Sequence, residues 1–174
     1  MKRVFVMVMS LAAVTSSALY AADAAPTPAH EPTPAERYGA ECGTCHMAYP
    51  AGFLPARSWQ RLMGNLGNHF GDNAELSDAT RQQITQYLLA NAGDKTQDRH
   101  AARFAASAPA GETPLRITEL PAFKHQHHEI PQRYIKNAQV GSLSNCTACH
   151  TRAAQGSFRE REISIPGKGH WEDD

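Results

Sequence analysis

Methionine is absent from this 174-residue chain after Met63, and cysteine is absent outside two five-residue stretches. Neither sign of charge is in excess: 17 Lys and Arg stand against 17 Asp and Glu. A balanced chain offers no electrostatic case for binding nucleic acid. There is no glycine-rich phosphate loop and no H-E-x-x-H helix, so nucleotide and metalloprotease chemistry have no foothold. Beyond the first two dozen residues no apolar run is long enough to cross a bilayer. The apolar inventory is also thin for two independent cores, although the length suits one or two small domains.

What the chain does have begins at its N-terminus. Lys2 and Arg3 precede Val4-Phe5-Val6-Met7-Val8-Met9 and a run of small residues to about Ala24. That is the layout of a secretory signal, expected over residues 1–24, with Leu19-Tyr20-Ala21 and Ala22-Asp23-Ala24 both offering cleavage sites. An uncleaved anchor is the alternative, but the apolar run is short for a span. Losing Lys2, Arg3 and Asp23 leaves 15 basic and 16 acidic residues, net −1.

The four cysteines form Cys42-Gly43-Thr44-Cys45-His46 and, 104 residues later, Cys146-Thr147-Ala148-Cys149-His150. Positions i, i+3 and i+4 share one face of a helical turn, so each stretch aims two thiols and an imidazole at one flat object. Disulfides at this tight spacing would be redox-active bridges rather than loop staples. A thioredoxin-like site lacks its βαβ setting. Structural zinc pairs lie closer together and need no histidine after each second cysteine. The repeated C-x-x-C-H pattern instead marks c-type haem attachment. Two covalently bound haem c groups are expected, held by Cys42 and Cys45 and by Cys146 and Cys149, with His46 and His150 as proximal ligands. Haem attachment of this kind takes place outside the bacterial cytoplasm, which agrees with export to the periplasm.

Each iron then needs a partner on its other face. After a proline-rich lead-in, Thr33-Pro34-Ala35-Glu36 is a helix start with a hydroxyl cap and a capping box. That helix is expected to carry the first motif and stop near Tyr49-Pro50. A second helix is expected from Ala56 to Phe70, where Trp59, Leu62, Met63, Leu66, His69 and Phe70 form one apolar stripe. His69 on that stripe is the expected distal ligand, with Met63 as its competitor. A third helix runs from a Ser77 cap to Gly93, which reads as its stop. Three helices around one haem, with the attachment motif on the first, resemble a small class I cytochrome c domain, expected over residues 25–93. Residues 94–114 read as a linker with a short helix around Thr96 to Ala106, where His100 is a surface residue.

Residues 115–174 form a second haem domain, smaller and largely irregular but helical. His125, His127 and His128 crowd together before Pro131. At about 100° per residue, His127 clusters with Leu120, Phe123 and Ile130, while His128 and His125 rotate toward solvent. His127 is thus the inward one if the segment is helical, with His128 and His125 as alternatives. Ser144-Asn145 should cap a helix through the second motif to Gly156. Ile163 and Ile165 could alternate inward in an extended segment, and His170 is expected on the surface.

With no methionine beyond Met63, the second haem has either two histidines or an open position. A second imidazole at each iron gives a coordinatively full, low-potential centre suited to moving electrons. The expected function is single-electron transfer rather than catalysis.

The chain resembles the dihaem cytochrome c family of bacterial periplasms. The likeness is carried by Glu41-Cys42-Gly43-Thr44-Cys45-His46 with Ala48-Tyr49-Pro50, Leu54-Pro55-Ala56-Arg57-Ser58-Trp59 and His69-Phe70-Gly71-Asp72-Asn73-Ala74. It continues through Arg116-Ile117-Thr118, His127-His128-Glu129-Ile130, Asn145-Cys146-Thr147-Ala148-Cys149-His150 and Ile163-Ser164-Ile165-Pro166. The resemblance implies a mainly α protein, a class I-like first domain, an unlike second one, and bis-His haems in which His69 and His127 match the distal ligands. It also implies a membrane cytochrome b donor of the b561 type and a small oxygen-binding cytochrome c as acceptor. Two other functions compete: the small dihaem subunit of a periplasmic nitrate reductase, and a dihaem enzyme, such as a peroxidase, with one haem that opens.

Overall fold

The first helix of this computed structural model, α1 (Pro34–Cys42), begins with a complete capping box. The Thr33 hydroxyl accepts from the Glu36 amide at 3.2 Å, and the Glu36 carboxylate accepts from the Thr33 amide at 2.7 Å. The structure describes residues 30–171, so the expected signal segment lies outside the described residues. Helix α1 ends at Cys42 instead of running on to Tyr49-Pro50. Gly43 is a poor helix former, and the Thr44 hydroxyl donates to the Glu41 carbonyl at 2.9 Å, diverting the backbone into turns. Only Cys42 of the first haem motif is therefore helical.

Helix α2 (Ala56–Met63) is likewise shorter than the Ala56–Phe70 helix expected. Gly64-Asn65 and Gly67-Asn68 favour turns over helix. The chain passes through a 3-10 turn, Leu66–Asn68, into a tight loop closed by paired backbone hydrogen bonds between His69 and Asp72 at 2.7 and 3.2 Å. Phe70 sits in that loop at a φ of 58°. Trp59, Met63 and Leu66 are buried but Phe70 is exposed, so the expected apolar stripe holds only as far as Leu66.

Helix α3 (Asp78–Ala90) starts at the Ser77 cap, whose hydroxyl accepts from the Thr80 amide at 3.2 Å. It stops three residues before Gly93, which has a different task. Gly93 is buried, donates its amide to the Leu54 carbonyl at 2.9 Å, and has room for no side chain. A Cβ there would run into the Ala105 methyl and the Gly52 carbonyl oxygen.

Helix α4 (Arg99–Ala106) lies within the stretch read as a linker, three residues later than the expected start at Thr96, because Asp98 caps it through the amides of His100 and Ala101 at 2.8 and 2.9 Å. It is a packed element. Phe104 stacks on Phe53 with ring centres 5.3 Å apart, and it shares one hydrophobic cluster with Tyr38, Trp59, Ile84, Leu88, Leu120 and Phe123.

Helix α5 (Pro121–His127) opens on a proline and ends at His127, short of Pro131; α6 (Gln132–Ile135) follows. The second motif forms no helix. Two 3-10 turns, Cys146–Ala148 and Ala153–Gln155, replace it, and Gly156 ends the second at a φ of 76°. Asn145 makes no cap, because its side chain donates to the Val140 carbonyl at 3.1 Å and accepts from the Thr147 hydroxyl. The strands β1 (Ser164–Ile165) and β2 (Gly169–His170) pair antiparallel, with Ile165 buried and His170 exposed as expected. The protein is thus mainly helical, with one minimal sheet among the described residues. None of the described helices is long and apolar enough to cross a membrane.

Candidate haem sites

In the first site, the turn after α1 brings His46 out with its Nδ1–H donating to the Met47 carbonyl at 2.7 Å. That bond leaves Nε2 with its lone pair free. The His69 ring faces it, centre to centre 6.2 Å, with the ring planes 19° apart. His69 gets there from the loop closed on Asp72, not from a helix face. Met63, its competitor, is 5% exposed and belongs to the hydrophobic cluster. Around this pair, Tyr49 lies nearly parallel to His46 at 4.9 Å. Phe70 meets His69 edge-on at 4.8 Å, and the Arg116 guanidinium sits 3.9 Å over the Phe70 ring.

The second site uses the last residue of α5. The His127 ring stacks on Phe123 at 3.9 Å, and its Nδ1–H donates to the Phe123 carbonyl at 2.9 Å. Opposite it lies His150, again 6.2 Å away between ring centres, with the planes 64° apart. His150 is placed by its amide N–H, which donates to the Cys146 carbonyl at 2.8 Å, and by a backbone bridge to Ile163, and Phe158 packs against it at 5.3 Å. His128 is turned elsewhere. It is exposed, its Nδ1–H donates to the His125 carbonyl at 2.7 Å, and its ring lies parallel to that of His125 at 5.6 Å. His100 is exposed beside Phe104.

The electrostatics suit neutral imidazoles. Burial, and then the neighbouring His46, hold the His69 imidazole below the usual histidine range. Burial lowers His127, and burial and then His127 lower His150. None of the four cysteines is in a disulfide. Burial and then the Glu41 carboxylate push Cys42 up to about 11, while burial also raises Cys146 and Cys149.

The residues fit a haem at each motif. Metal–imidazole bonds of about 2.0 Å, with each ring centre about 1.1 Å behind its nitrogen, separate two axial rings by about 6.2 Å. Both pairs have that separation. One ring of each pair is oriented by a backbone carbonyl. The other, His69 or His150, has a buried Nδ1 with no hydrogen-bond partner. Buried polar atoms rarely lack partners. Iron bound at Nε2 would hold these two rings in place of the missing hydrogen bond, though it would not satisfy Nδ1 itself.

The family model for dihaem cytochrome c matches residues 38–158. The chain belongs to the dihaem cytochrome c family. Its cofactors are two covalently bound haem c groups. This dihaem cytochrome is similar to the X-ray structure of a dihaem cytochrome c from Shewanella baltica OS155. The two are 40% identical, the TM-score is 0.66, and the match covers 80% of this chain and 98% of that one. A dihaem cytochrome c from Rhodobacter sphaeroides is 50% identical at a TM-score of 0.63, over 70% of this chain and 94% of that one. Among proteins of curated function, none matches the chain significantly.

Helical periodicity places Phe123 beside His127, but the other aromatic side chains against the imidazoles were not legible in the sequence. Tyr49 stands three residues after His46, a spacing that could have pointed to it, but it reads as a helix stop. Phe158 and the Phe70–Arg116 stack carry no local signal.

Proposed function

We propose that this dihaem cytochrome is an exported carrier of single electrons with two closed, bis-histidine irons. Cys42 and Cys45 attach one haem, with His46 and His69 as its axial ligands. Cys146 and Cys149 attach the other, with His150 and His127. Bound haem c supplies a one-electron iron couple. The protein's own residues do the rest: they fill both axial positions, keep the imidazoles neutral, and cover the rings with Tyr49, Phe70, Phe123 and Phe158. The observation that carries this reading is the 6.2 Å separation repeated in both pairs.

An iron with two imidazoles has no position for a substrate, which favours carriage over catalysis. A periplasmic location, a membrane cytochrome b donor of the b561 type and a small oxygen-binding cytochrome c acceptor follow from the family resemblance. Low-temperature EPR on the purified ferric protein tests the ligands. Two low-spin signals are expected, and a substantial high-spin signal in the resting protein would overturn the carrier reading in favour of an enzyme. Reduction by quinol-energised membranes containing the b-type cytochrome, and not by membranes lacking it, tests the donor.

A further inference from the structure

We propose that Tyr49 is a positioning residue that ties the two haem sites together, its ring setting the plane of His46 and its hydroxyl holding the segment that carries Cys146. The inference rests on the reading of His46 as an iron ligand. Tyr49 lies against His46 with ring centres 4.9 Å apart and planes 24° apart. Its hydroxyl donates to the Ser144 carbonyl at 2.8 Å, across 95 residues of sequence. Ser144 stands two residues before Cys146, and one side chain therefore touches the proximal imidazole of the first motif and the attachment segment of the second.

Both ends of this link are held rigid. Tyr38, buried against Trp59 and Tyr87, donates its hydroxyl to the Tyr49 carbonyl at 2.6 Å. Trp59 donates its indole N–H to the Ala51 carbonyl at 2.6 Å, fixing the backbone just beyond. At the far end, the Ser142 hydroxyl accepts from the Ser144 amide at 3.1 Å and lies 2.8 Å from the Ser144 hydroxyl. The Ser144 carbonyl is thereby aimed before Tyr49 reaches it.

The Ser144 carbonyl also lies 3.7 Å from the Cys146 sulfur. A cysteine held to haem as a thioether has no hydrogen to donate, so the Tyr49 hydroxyl is the donor that this carbonyl keeps in the haem-bound protein.

The test uses the holoprotein with both haems attached. Tyr49→Phe removes the hydroxyl but keeps the ring; Tyr49→Leu removes both. In Tyr49→Phe, hydrogen exchange over residues 142–150 should rise about fivefold, the scale of one lost hydrogen bond, with the EPR of both haems unchanged. In Tyr49→Leu the same exchange should rise, and one low-spin EPR signal should also shift its g-values as the His46 ring loses its support. Unchanged exchange in Tyr49→Phe would overturn the hydroxyl's role. Unchanged g-values in Tyr49→Leu would overturn the ring's. If the parent protein instead shows the first haem high-spin, the ligand reading fails, while the exchange result still reports on the link itself.

Discussion

At the scale of single residues, the two facing histidine pairs differ in a way that spectroscopy can read if they ligate iron as proposed. The His46 and His69 planes lie 19° apart, whereas those of His127 and His150 are crossed by 64°. Near-parallel imidazoles split the iron d orbitals into a rhombic pattern, and crossed ones leave two of them nearly degenerate. The ferric protein should therefore show one rhombic low-spin EPR signal and one of the large-gmax type; two identical rhombic signals would contradict the geometry. His127→Ala should turn one haem high-spin, while His128→Ala should leave both low-spin, because His128 is tied to His125 and faces solvent. His69→Met should raise the reduction potential of one haem only, measured by potentiometric titration, since a thioether sulfur favours ferrous iron. His127 was legible because α5 obeys helical periodicity, which a wheel can read. The sequence points to His69 through a helix that stops at Met63, and a backbone-paired loop instead brings its ring opposite His46.

At the scale of elements, caps and turns were the legible features. The capping box at Thr33 and the Ser77 cap are local chemistry, and both occur where the residues indicate. Thr33→Ala should cost about 1 kcal/mol of stability, seen in denaturant or thermal unfolding of the holoprotein. Gly93 is the opposite case. Its residue type is visible in the sequence, but its purpose is the close approach of α4 to the segment at Gly52, which no local pattern records. Gly93→Ala should overpack that contact by about 1–3 kcal/mol. The melting temperature should fall by roughly 3–10 °C with haem content unchanged, and an unchanged melting temperature would show that the backbone relaxes freely. The two haem motifs also part at this scale. Glycine and threonine unwind the first after one cysteine, and the second is built from 3-10 turns held by a bridge to Ile163.

At the scale of the whole molecule, the second half has little with which to hold itself. From Leu120 onward the buried apolar side chains among the described residues are Leu120, Phe123, Val140, Ala153 and Ile165. Much of its buried surface must come from its cofactor, so its folding and haem attachment should be coupled. The double substitution Cys146→Ser and Cys149→Ser should abolish the second haem and raise hydrogen exchange through residues 136–171, while the amides of α1 and α3 stay protected. Persistence of full protection would show that the side chains suffice.

The sequence by itself determined the chemistry of this protein: four cysteines in two C-x-x-C-H motifs, and no methionine beyond Met63 to serve the second iron. Those are properties of residue type and spacing, which short-range geometry translates directly. Only the tertiary structure decided that both imidazole pairs come to 6.2 Å, that one pair is parallel and the other crossed, and that Tyr49 reaches Ser144. Each of these depends on loops whose direction is set by backbone pairing and packing between residues far apart in the chain. No pattern of neighbouring residues carries that information.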